Sequence, residues 1–214
     1  MSKPFSGFEV IEEKHRLEEG EKRFTSARYL TVRNLYKDGS KSREYRLDVI
    51  SHRGTDAVCV LPYWKEAGQY KCMLIESFRP ALYFRDVSPE NPPFILEAVA
   101  GVVEEGEDSS EGVLNRAIEE LVEEAGLVAE TSDVQILGAP IYMSPGVYTE
   151  KIWLTAVEVD PTQKVAPTHD GSVQEEMLTQ HVYGMVEALG LVEEGIIKDA
   201  KTEIALRRLS DKLA

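Results

Sequence analysis

Cysteine is nearly missing from this chain: two in 214 residues. Cys59 in "AVCVLP" and Cys72 in "YKCMLIE" both sit in apolar runs, the setting of buried thiols rather than of a disulfide framework or a thiolate metal cluster. Long hydrophobic runs are missing too. The longest candidate, "FILEAVAGVV", is interrupted by Glu97 and falls well short of the roughly 20 apolar residues of a membrane span. The opening "MSKPFSGFEVIEEKH" has no apolar stretch of the kind that directs secretion, so a cytoplasmic protein with no membrane partner is expected. Basic residues are in short supply, 24 Lys and Arg against 38 Asp and Glu, for a formal charge of −14. That balance disfavours nucleic-acid binding, which depends on neutralising phosphates. It also repels small phosphorylated substrates, unless bound cations locally reverse the field. No internal repeat or low-complexity tract is visible. Hydrophobic residues, at 43%, suffice for a substantial core in one large domain or in a domain plus an arm.

The first fifty residues read as β-structure. "RYLTVRNLY" and "REYRLDVIS" flank the turn-rich "KDGSKS", in which Asp38-Gly39 supplies a hairpin turn. Strands follow at "DAVCVLPYW", "QYKCMLIESF" and "FILEAVAG", then at "DVQILGAPIYM", "KIWLTAVEVD" and "EEMLTQHVY". Helical periodicity marks about 109–125, 184–194 and 199–213. Strands surrounding one long helix and ending in another predict an α+β fold, an α/β/α sandwich with a mixed sheet between helices. The organisation expected is an N-terminal antiparallel β arm over residues 1–50 and a main domain over 51–214.

The mid-chain helix carries an unusual charge pattern. In "EDSSEGVLNRAIEELVEEAG", Glu119, Glu120, Glu123 and Glu124 include two like-charged pairs four residues apart, each destabilising by roughly 0.2–0.5 kcal/mol. At about 100° per residue, Leu114, Ala117, Ile118, Leu121 and Ala125 form an apolar face. Arg116 and the glutamates fall on the other side, with Glu124 nearest the boundary. Asp108 and Glu111 have capping-box spacing, and Gly126 stands where a left-handed C-cap belongs. Two explanations compete for the acidic stripe: a solvated face, or oxygen ligands for a hard cation. The preceding strand ends in "AGVVEEGE", where Gly101 and Gly106 allow sharp turns that expose carbonyls such as that of Ala100. This adds a further kind of oxygen ligand beside the carboxylates.

These two stretches resemble the signature of the Nudix hydrolases: Gly, five residues, Glu, seven residues, Arg-Glu, an aliphatic, any residue, Glu-Glu, any residue, Gly and an aliphatic. "GVVEEGE" matches its first half and "EELVEEAGL" its second. Eleven residues rather than seven separate Glu107 from Glu119, and Glu119 stands in the place of the signature Arg. Counting back from Gly126 puts Glu120 and Glu124 at the principal ligand positions. Counting forward from Gly101 would place Arg116 at one of them, and a guanidinium cannot ligate a cation. Arg116 either substitutes for the missing Arg by pairing with the acids or forms an ordinary i,i+4 ion pair.

Further segments, "ESFRP", "LEAVAG", "SPGVYTE" and "GIIKDAKTEIAL", look like the ADP-ribose pyrophosphatase and nucleoside diphosphate sugar hydrolase branch of that family. The resemblance implies a hydrolase that splits the pyrophosphate bond of a nucleoside diphosphate sugar. Alternatives are an ADP-ribose pyrophosphatase and a Nudix-fold nucleotide-binding protein without activity. It implies magnesium, with manganese as a substitute, held by the Ala100 carbonyl, Glu120 and Glu124, with Glu123 nearby as a further catalytic candidate. In "DGSVQEEM", Glu175 or Glu176 would bind metal or activate water, with Asp170 and Glu150 as weaker candidates. Arg53 and Arg79 are implied diphosphate contacts, or else surface ion pairs. Asp199 and Lys201 form an Asp-X-Lys that distinguishes nucleotide-sugar hydrolases; read physically, they are also a helix cap followed by a surface lysine. A homodimer is implied as well, with the arm serving the dimer and the nucleotide site and with Tyr29 and Tyr45 available to stack on a base.

Overall fold

A computed structural model describes residues 5–15, 24–52, 54, 56–84, 93–167 and 177–214. The chain divides into two compact units, Met1–Thr55 with Ser144–Glu150, and Asp56–Met143 with Lys151–Ala214.

The first unit is an antiparallel three-stranded sheet of β1 (Phe5–His15), β2 (Thr25–Tyr36) and β3 (Tyr45–His52), in that order. Gly39 turns the chain between β2 and β3 with φ of 79°, and Asp38 accepts hydrogen bonds from the Ser40 N–H and hydroxyl at 2.9 and 2.6 Å. β1 was hidden in the sequence because its register shifts between Phe5 and Gly7 and again between Val10 and Glu12, which breaks the two-residue alternation. The segment 144–150 joins this unit through a parallel bridge between Ile50 and Tyr148.

The second unit holds a seven-stranded mixed sheet. β4 (Asp56–Glu66) and β5 (Gln69–Phe78) form a hairpin closed by Ala67 and Gly68, at φ of 49° and 82°. Two successive residues at positive φ follow the right-handed twist of the flanking strands. β9 (Ile152–Glu158) runs parallel to β4, and β8 (Val134–Ile136) and β10 (Thr179–Gly184) complete the order β10-β5-β4-β9-β8. The segment expected as one strand, "FILEAVAG", is two: β6 (Phe94–Glu97) pairs with β5, and β7 (Val99–Val103) pairs with β4. The chain changes partner at Ala98.

Helices cover both faces of this sheet. After the short α1 (Pro80–Tyr83), α2 (Ser110–Ala125) packs Val113, Ala117, Leu121 and Ala125 against Val58, Val60, Met73, Ile75 and Val99. The alternate residues Cys59, Leu61, Cys72 and Leu74 point the other way. They meet α3 (Met185–Glu193) and α4 (Ala200–Leu213) through Ala188, Val192, Ala205, Leu206 and Leu209. The period-2 alternation of the central strands thus yields two cores, one per face. This mixed sheet between helices, with an antiparallel N-terminal sheet, is the fold class expected from the sequence. Among the described residues no helix is long and apolar enough to cross a membrane.

Candidate active site

The acidic helix begins one residue later than its spacing suggests. Ser109, not Asp108, is the N-cap, accepting from Gly112 N–H at 3.1 Å. Gly126 closes the other end at φ of 63°, its N–H bonded to the carbonyl of Val122. Of the two explanations for the acidic stripe, the solvated face does not hold for Glu120, which is 5% exposed and packs over β7. A Cβ built on Gly101 would lie 1.6 Å from Glu120 Oε1, so only glycine lets the helix carboxylate approach the strand this closely. Glu124, one turn on, accepts from the Ala100 N–H at 3.3 Å. Ala100, Glu120 and Glu124 therefore meet at the middle of β7.

Burial, then the neighbouring Glu120 and Glu97 charges, push the Glu124 carboxyl up to about 8, against the lowering effects of the Ala100 N–H and Arg79. Two carboxyl groups one turn apart, beside backbone oxygen, make a hard-oxygen site in which Arg116 faces Glu120 and Glu124 has no ion-pair partner within 4 Å among the described residues. Among the described residues no three His, Cys, Asp or Glu side chains converge as a complete ligand set. Two carboxylates plus backbone oxygen fit Mg²⁺, which keeps several waters and shares substrate oxygens instead of filling an all-protein cage.

Arg116 reaches all three neighbouring acids: Glu119 at 3.0 Å, Glu120 at 2.5 Å and, more distantly, Glu123 at 3.9 Å. It is both an i,i+4 partner of Glu120 and a cation held within the acidic stripe. Its Nε is buried with no hydrogen-bond partner. Burial would lower its pKa, but Glu120, Glu119 and Glu123 raise it.

The residue that sequence reasoning missed is Glu97. It is 2% exposed. Its Oε1 accepts from Ser77 Oγ and from Arg79 Nε and an Arg79 terminal nitrogen at 2.7 and 2.6 Å, while its Oε2 meets Lys201 Nζ. The visible signal was a lone carboxylate inside the apolar "FILEAVAG". Lys201 is not the surface lysine of the simplest reading: it is 8% exposed, bound to Glu97 and, at 2.9 Å, to Asp199. Burial alone would lower its pKa; Glu97 and Asp199 together raise it. Asp199 is the N-cap of α4, accepting from Thr202 N–H at 3.0 Å. Arg79 is half exposed and belongs to the same charge network.

Gln180 was also missed. From β10 its amide donates to the Glu124 and Ala125 carbonyls at 3.1 and 3.0 Å, binding the last turn of α2 to the sheet. Glu150 lies in the other unit, 2.7 Å from His52 Nε2. Arg53, Asp170, Glu175 and Glu176 lie outside the described residues.

No family model matches the chain. Individual relatives do. An Escherichia coli ADP-ribose pyrophosphatase is 34% identical over 186 residues, 87% of this chain and 81% of that protein. A Yersinia pestis GDP-mannose pyrophosphatase is 31% identical over 185 residues, 81% of this chain and 86% of that protein. A crystal structure of an ADP compounds hydrolase superposes with a TM-score of 0.65 at 18% identity, covering 99% of this chain and 97% of that one, which speaks for the fold alone.

Proposed function

The chain belongs to the Nudix hydrolase family, and from that premise we propose that it splits the pyrophosphate bond of nucleoside diphosphate sugars into a nucleoside monophosphate and a sugar phosphate. Glu120, Glu124 and the Ala100 carbonyl hold magnesium in this reading. When bound, the metal screens the diphosphate charge, polarises phosphorus and acidifies a water. The observation carrying the proposal is the Glu120–Glu124 pair against β7, Glu120 buried over Gly101 and Glu124 half-buried at Ala100 with its carboxyl raised to about 8. So acidic a protein meets an anionic substrate through cations.

Arg79 is the described arginine best suited to the diphosphate. Its charge is felt at Glu124, and Glu97 engages only two of its nitrogens, leaving other donors for a phosphate oxygen. Glu175 or Glu176 orients or deprotonates the attacking water. Support for that assignment comes from either side of the segment 168–176. Val165 N–H donates to the Gly126 carbonyl at 2.9 Å, and Gln180 bonds the Glu124 and Ala125 carbonyls, so both flanks are tied to the end of α2 that bears Glu124.

A homodimer through the N-terminal unit belongs to the same proposal, supported by the exposure of Phe8, Val10, Ile11 and Phe24 on and beside edge strand β1. Sedimentation at micromolar concentration tests it: a monomer refutes it. The second reading, an ADP-ribose pyrophosphatase, is favoured by the 34% identical relative. A panel of GDP-mannose, a UDP-sugar and ADP-ribose with Mg²⁺, with products identified, decides between them. Absence of metal-dependent turnover on every member, or turnover undiminished in Glu124→Gln, refutes the hydrolase mechanism.

A further inference from the structure

The first turn of α4 is bonded to the point where β6 gives way to β7. The Ala98 N–H donates to Thr202 Oγ1 at 2.8 Å, and Lys201 Nζ meets Glu97 Oε2. The two oxygens of Glu97 have separate duties. Oε2 faces Lys201, while Oε1 receives Ser77 and both Arg79 nitrogens. Lys201 is fixed from behind by Asp199, whose Oδ2 also takes the Thr202 N–H and hydroxyl. Two acids, Glu97 and Asp199, balance two cations, Arg79 and Lys201. Of those cations only Arg79 reaches solvent, its side chain 44% exposed against 10% for Lys201.

We propose that Lys201 is a positioning residue that touches no part of the substrate: it fixes the Glu97 carboxylate, and Glu97 in turn orients the half-exposed Arg79 guanidinium. The order of action is Asp199 and Lys201, then Glu97, then Arg79. Paired buried charges of this kind lock geometry because removing one partner leaves the other uncompensated. With Lys201 gone, Glu97 Oε2 has lost its partner and the carboxylate turns, so Arg79 loses its fixed Nε bond to Oε1 and the orientation that bond sets. Every diphosphate substrate then suffers alike, since the defect lies at a phosphate contact and not at a sugar or a base. The kinetic part rests on the diphosphate-hydrolase reading; the orientation of Arg79 does not.

The test uses Lys201→Met, Lys201→Arg, Asp199→Asn, Glu97→Gln and the double variant Glu97→Gln/Lys201→Met. With Mg²⁺, Lys201→Met should raise KM for ADP-ribose and for GDP-mannose by the same factor, about tenfold, with a smaller change in kcat. Lys201→Arg should recover most of the loss, Asp199→Asn should show a weaker form of it, and the double variant should be no worse than the poorer single. A loss confined to one substrate, or fully additive effects, would overturn the proposal. Independently of turnover, ¹⁵N NMR of the Arg79 Nε–H, assigned with Arg79→Lys, should show a solvent-protected signal that Lys201→Met exposes and Lys201→Arg retains. Unchanged protection in Lys201→Met overturns the proposal even if no substrate is turned over. Coupled Arg79 protection without hydrolysis refutes the functional reading and leaves the positioning role standing.

Discussion

Glu124→Gln isolates the raised carboxyl of the proposed metal site. Burial and the adjacent Glu120 hold the Glu124 carboxyl at about 8, against an ordinary 4.5. Below the ordinary carboxylate range both folded and unfolded chains keep the proton, and the group affects stability little. As pH rises from 4.5 toward 8 the unfolded chain ionises first, so the folded state loses ground. For this single group the loss at pH 7.5 is on the order of 4 kcal/mol, of which roughly 2–3 kcal/mol develops between pH 5.5 and 7.5. Urea unfolding without divalent metal should therefore show wild type losing that much more than Glu124→Gln over this interval. If Glu124 holds magnesium as proposed, the metal should reverse the effect in wild type by displacing the proton. Calorimetry in buffers of different ionisation enthalpy should record release of about three-quarters of a proton per bound ion at pH 7.5 and about one-tenth at pH 9. Parallel pH profiles for the two proteins, or metal binding without proton release at pH 7.5, would refute the electrostatic account of the site.

Gly101→Ala places a methyl group where Glu120 Oε1 now sits; magnesium should no longer raise the melting temperature, whereas in wild type it should. Gln180→Leu strips two carbonyls at the end of α2 of their donor, and chemical denaturation should register a loss of about 1–3 kcal/mol. Of Glu175→Gln and Glu176→Gln, one should lower kcat by about 10²–10⁴ with little change in KM, while the other stays near wild type; equal, mild effects in both would remove the water-activating role from this segment.

The strands and helices were legible wherever periodicity was clean. β5 falls on "QYKCMLIESF" and α4 on the segment capped by Asp199, because alternation and a good N-cap are local signals. The split of "FILEAVAG" at Ala98 was not legible, since both halves are apolar and only the choice of partner strand separates them. For the site, the Glu120–Glu124 spacing was readable, but the burial of Glu120 was not. A helical wheel assigns it to the polar side, and only the approach of Gly101, a contact between distant segments, turns that side inward. Glu97 and Lys201 were hard to see for a related reason. They lie 104 residues apart, and each alone reads as an ordinary charged residue.

The partner change at Ala98 also bears on the order in which the molecule assembles. Strands β4, β5, β7 and β9 and helix α2 are made before α4, and they form one core without it. In that partial structure Glu97 has Arg79 and Ser77 but no Lys201, and the Ala98 N–H has no Thr202. Docking of α4 completes the charge balance and ties down the strand junction in one step. A chain still lacking this helix would have no Lys201 to settle Glu97 and, through it, Arg79, so competence for chemistry should arrive late in folding, with the final helix.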